Sequence, residues 1–68
     1  MERWHFYREP DYRGGYSWRW ERQSSDVTEA SRTIFYTFWG CVQNAVQAGF
    51  DPSAVDAPPL RDSIVVEL

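Results

Sequence analysis

Large apolar side chains change their spacing once along this chain of 68 residues, and that change sets what it can fold into. In the first third, Trp4 and Phe6, then Tyr16, Trp18 and Trp20, fall at alternate positions, the period that sends side chains to one face of a strand. From Phe35 the period lengthens. Phe35, Phe38, Trp39, Val42, Ala45, Val46 and Phe50 recur at three- and four-residue steps, the apolar stripe of an amphipathic helix. A sheet face and a helix stripe that are both apolar must cover each other.

The breaks between these runs are equally legible. "RWHFYRE", Arg3 to Glu9, and "YSWRWER", Tyr16 to Arg22, are rich in strand formers, and "EPDYRGG" between them carries the Pro, Asp and Gly-Gly of a turn, so the two make a hairpin. After the polar break "RQSSD", Arg22 to Asp26, "VTEASRTI", Val27 to Ile34, reads as a third strand. The helix is expected over about residues 38 to 48, with Thr37 as its N-cap, Gly49 as a left-handed C-cap and Pro52 blocking continuation.

This pattern gives an α+β class: a three-stranded antiparallel sheet with one helix packed on one face, in the order βββα, as a domain over residues 1–50. The core expected between the layers is Trp4, Phe6, Trp18, Trp20, Phe35, Phe38, Trp39, Val42 and Val46. The two tryptophans that flank Arg19 are therefore assigned to the core rather than to a stacking platform for a ligand. Residues 51–68 form an acidic, Pro-containing extension, expected to be partly flexible. Its end, "SIVVEL", either adds an edge strand or stays a frayed tail.

A chain of this size buries only roughly 60% of the surface it exposes when unfolded, and aromatics at 18% of residues are how so short a chain fills a core. With a single cysteine, no internal disulfide and no thiolate metal cluster can form. Stability must come from packing, with oligomerisation as the other source. No apolar run approaches the roughly 20 residues of a membrane span, and Met1-Glu2-Arg3-Trp4 does not begin a signal peptide, so a cytoplasmic location is expected.

The chemistry of catalysis is thin. His5 is the sole histidine and stands among strand aromatics, where a surface or packing role is expected. Cys41 lies beside the helix stripe as a small hydrophobe with no identifiable thiolate-stabilising neighbour. Gly14-Gly15 reads as a turn rather than a phosphate loop, and the acids are scattered. No catalytic residue, metal ligand, cofactor or small-molecule substrate is expected, and an enzyme is the least supported class. The polar face of the hairpin is different. Arg3, His5, Tyr7, Ser17, Arg19 and Glu21 share it, and Arg3, Tyr7 and Arg19 are its candidate interaction residues, because Arg and Tyr are enriched at hot spots.

Two resemblances bear on this face. The aromatic "WHFY", the "WRW" of the second strand, "VTEAS", Phe35 and the helix ending "NAVQAGF" resemble the YegP-like domains, small bacterial modules of three strands and a helix. That resemblance spans roughly Trp4 to Phe50 and implies a fold but supplies no catalytic residues. Members often carry two units in tandem, whereas this chain has one, which leaves a second copy as a candidate partner. The sheet-then-helix order, with "YRGGYSWRWE", is also similar to the plant AP2-type DNA-binding domains and their integrase-arm relatives. This second likeness implies Arg3, Arg13 and Arg19 as groove or phosphate contacts. Charge opposes it: all seven basic residues are arginine, ten acids outweigh them, and the net charge is −3. The expectation is a non-enzymatic protein-interaction or structural module with a protein partner or a second copy, and nucleic-acid binding is the alternative.

Overall fold

The alternating rings form the centre of a long hairpin. In the computed structural model, which describes residues 1–68, β1 (Arg3–Pro10) pairs antiparallel with β2 (Tyr16–Gln23), with Phe6 opposite Trp20 and Tyr7 opposite Arg19. The turn is built by Asp11, whose carboxylate accepts from the amides of Arg13 and Gly15 at 2.9 and 3.2 Å, while Gly14 takes φ +84°. Burial pushes the Asp11 carboxyl up. The amide and guanidinium of Arg13 and the Gly15 amide outweigh it and hold that carboxyl below the usual carboxylate range.

The sheet has four strands, not three, in the order β3-β2-β1-β4. The third strand is also shorter than the sequence suggests: β3 is Thr28–Ala30, followed by an excursion and a lone bridge between Phe35 and Trp18. Between Glu21 and Arg19 the neighbouring chain must pass from Ala30 to Ile34, two residues more than a regular ladder allows, so the segment around Arg32 loops away. Ser31 repairs the gap. Its Oγ accepts from the Trp20 amide at 3.3 Å and its own amide donates to the Trp20 carbonyl at 2.9 Å. The fourth strand, β4 (Ser63–Glu67), is the "SIVVEL" segment docked on the free side of β1, with Ile64 opposite Phe6 and Val66 opposite Trp4.

One face of the sheet is covered by α1 (Phe38–Gln47). Thr37 caps it as expected, accepting from the Gly40 amide at 3.0 Å. At the other end the Gly49 amide donates to Val46 and the Phe50 amide to Ala45, with Gly49 at φ +114°; this is a Schellman closure that folds Phe50 back into the core. Arg22, at the rim of the same sheet face, donates to the Ala48 carbonyl at 3.0 Å and pairs with Glu29 at 3.2 Å.

The core is Trp4, Phe6, Trp18, Trp20, Phe38, Cys41, Val42, Ala45, Phe50 and Val55, with Phe35, Ile64 and Val66 packed at its margin. Edge-to-face contacts of Phe38 with Trp18 and of Phe50 with Trp4 interlock the layers. Two expected members are corrected. Trp39 is 42% and Val46 37% exposed, because both lie on the flank of α1 rather than on the narrow stripe Phe38, Cys41, Val42 and Ala45 that meets the sheet. Their place is taken by Cys41, Ala45, Phe50 and Val55. Val55 reaches the core after a short 3-10 turn, Pro52–Ala54, and with Ile64 and Val66 at the margin it ties the 51–68 segment to the core of the first 50 residues. No helix is long and apolar enough to cross a membrane.

Candidate functional site

Strand alternation sends every second residue to the face that α1 does not cover. Register then assembles these side chains into rows. One row runs Ala30, Glu21, His5, Val65; on one side of it lies Thr28, Gln23, Arg3, Glu67, and on the other Arg19, Tyr7, Ser63. Helix and 3-10 turn both pack on the opposite face, so this one is open to solvent.

The expected interaction residues Arg3, Tyr7 and Arg19 all lie on this face, with Tyr7 and Arg19 directly opposite each other. The Tyr7 hydroxyl donates to Glu21 Oε1 at 3.3 Å, and the His5 and Tyr7 rings sit 5.0 Å apart. Burial, reinforced by the Glu21 carboxylate, raises the Tyr7 phenol above its ordinary value, so it remains a neutral donor. Arg19 is anchored by a bond from Nη2 to the Ser31 carbonyl at 3.2 Å. Arg3, His5, Glu21, Gln23 and Val65 line a shallow depression of about 210 Å³ at the centre of the face. Ser17 lies on the same face yet is buried, next to the Trp18–Phe35 bridge.

The three arginines of the nucleic-acid alternative are not brought together as a cationic surface. Arg13 is at the hairpin tip, bonded to Asp11 at 3.1 Å and stacked over Tyr36 at 3.6 Å. Arg19 is committed to Ser31. Across the open face Arg3 and Arg19 stand against Glu9, Glu21 and Glu67, two positive charges and three negative.

Sequence reasoning missed Val65 and Gln23 as members of the face. Gln23 was signalled by the same alternation that placed Arg19 and Glu21, continued one step. Val65 had no local signal, since its place depends on β4 docking. Elsewhere, a depression of about 520 Å³ lies beside β3 and α1, lined by Trp20, Glu29, Arg32, Asn44 and Gln47 among others. Cys41 is fully buried, and burial pushes its thiol up to about 12, the opposite of what a nucleophile requires. No group of three or more His, Cys, Asp or Glu side chains is placed to hold a metal ion. No protein-family model, curated protein or solved structure matches the chain.

Proposed function

We propose that this chain is a non-enzymatic protein-interaction module, a single unit of the YegP-like kind, that engages a protein partner through its open sheet face. The observation that carries this reading is the fixed arrangement of Tyr7, Arg19, Glu21 and His5 on a face with no second layer over it. Side chains already held in place lose little freedom when a partner arrives, and Tyr and Arg are the residues from which interfaces draw most of their energy. The mixed charge of the face suits a protein surface better than a phosphate backbone.

The test is site-specific photo-crosslinking in the native cell, with the photoreactive residue at Tyr7 in one strain and at Gln43, exposed on the far side of α1, in another. Discrete protein adducts from position 7, absent from position 43 and lost when Arg19→Glu is added, are the expected result. Equal adducts from both positions would remove the face from consideration. Amide shifts at Arg3, Arg13 and Arg19 on adding short oligonucleotides, vanishing as salt rises, would put the nucleic-acid reading in its place.

A further inference from the structure

β4 closes one side of the sheet with half of its backbone groups unpartnered. Glu2 and Leu68 exchange both amide bonds, and the Arg8 amide donates to the Asp62 carbonyl at 2.8 Å, so the even-numbered residues of this segment turn their N–H and C=O toward β1. The N–H and C=O of Ser63, Val65 and Glu67 therefore point outward. The edge carries no proline, no lysine and no bulge in its pairing with β1, and its one charge, Glu67, lies at its end. The opposite edge differs. β3 is only three residues long and gives way to the excursion around Arg32.

We propose that β4 pairs antiparallel with β4 of a second copy about a twofold axis through Val65, joining two four-stranded sheets into one. The strand is complementary to itself in that register. Val65, the midpoint of Ser63–Glu67 and 42% exposed, meets its own copy, and Ser63 meets Glu67. All three outward residues then find bonding partners, two bonds at each of three pairs. On the core side Ile64, half-buried at the margin of the core, lies opposite Val66 of the second copy, so apolar groups meet apolar groups. Glu67 faces a hydroxyl instead of its own copy. Arg61, exposed two residues before Ser63, stands diagonal to Glu67 of the second copy, within reach of a long side chain.

The pairing rests on the edge alone and stands apart from the open-face reading. It does have a consequence for that face: the two depressions, each with Val65 in its wall, flank the axis on one continuous surface.

Sedimentation across about two decades of protein concentration tests the proposal. The weight-average mass is expected to rise from 8.0 kDa toward twice that value. Hydrogen exchange reads the edge directly: the amides of Ser63, Val65 and Glu67 gain protection with concentration, while those of Ile64 and Val66 are protected throughout. Val65→Lys opposes two ammonium groups at the axis and is expected to weaken association by about tenfold or more. Val65→Pro removes an outward N–H without touching the β1 ladder. The lysine variant carries the test should the proline disturb the strand, since its side chain enters solvent on the open face and the amide spectrum reports folding. A mass of 8.0 kDa at every concentration overturns the proposal, as does a dimer that survives both substitutions. Protection of the three amides in a chain that stays monomeric, appearing only when an unrelated extended peptide is added, assigns the edge to a foreign strand and also overturns it. In each of these cases the crosslinks at Tyr7 stand or fall separately.

Discussion

The indole N–H of Trp20 donates to Asn44 Oδ1 at 2.9 Å, across the interface between sheet and helix. Trp20 is almost wholly buried, so its one polar atom needs a partner, and Asn44 supplies it from the flank of α1 that looks toward β3. The bond therefore fixes the rotation of the helix about its axis as well as satisfying the indole. Trp20→Ala is expected to destabilise the chain by about 3 to 5 kcal/mol, through lost burial and the cavity left behind. Asn44→Ala is expected to cost about 1 kcal/mol, because the site borders the open depression beside β3, where water can reach the orphaned N–H. Denaturant titrations of both variants and of the pair give the coupling. Full additivity would mean that the hydrogen bond contributes nothing.

Ser31 makes a sharper case, because it is buried and water cannot replace it. In Ser31→Ala the Trp20 amide loses its acceptor at a point where the excursion has already removed the regular ladder bond. A loss of about 1 to 3 kcal/mol is expected, the cost of leaving a buried donor unmade. Fast exchange of the Trp20 amide in the variant would accompany it. Unchanged stability would show that β3 can slide to re-form a continuous ladder.

The hairpin and α1 were legible because each rests on its own local period, and their caps and turn residues agree with that period; Thr37, Gly14 and Gly49 stand where the pattern needs them. The length of β3 was not legible. "VTEASRTI" carries strand propensity throughout, and only the backbone pairing of Phe35 with Trp18, with Phe35 at the core margin, puts two residues out of register. Docking of β4 depends on contacts between Ile64 and Phe6, 58 residues apart, which no window of sequence displays. The apolar stripe in the sequence is wider than the buried one, since periodicity places Trp39 and Val46 next to the core but does not show where a ten-residue helix stops touching the sheet. Of the open face, the alternation gave Arg3, Tyr7 and Arg19. The bonds that hold them, to Glu21 and Ser31, follow from register and from the excursion.

The adjacent glycines of the hairpin turn separate backbone strain from crowding. Neither position has a heavy atom within 4 Å of where a Cβ would sit, but only Gly14 takes a positive φ. Gly14→Ala is expected to cost about 1 to 2 kcal/mol, the penalty of a left-handed residue with a side chain. Gly15→Ala, which restricts the unfolded chain without straining the folded one, is expected to be neutral or to stabilise by up to about 1 kcal/mol. Thermal melts of the two single variants decide the matter, and equal effects would mean that the turn rearranges.

Cys41 links the core to alkaline pH. Its thiol is fully buried and burial alone raises it from 9.0 to about 12, so the folded chain keeps its proton where the unfolded chain has lost it. The stability this contributes is fully present below about pH 9 and is lost as the pH rises toward 12, with a limiting slope of about 1.4 kcal/mol per pH unit from this one group. Tyr7, also raised, acts in the same direction above its ordinary value of 10.0. Cys41→Ala is expected to lower stability at neutral pH by its lost packing, yet to flatten the decline between pH 9 and 11. The comparison is of slopes, so the constant packing loss drops out. Thiol labelling supplies an independent measure: with the Cys41 thiol fully buried, its modification must wait for opening of the core, and its rate should follow denaturant as global unfolding does. Rapid labelling at neutral pH, or parallel alkaline slopes in the two proteins, would show that α1 opens locally and that the thiol is not held in the folded core.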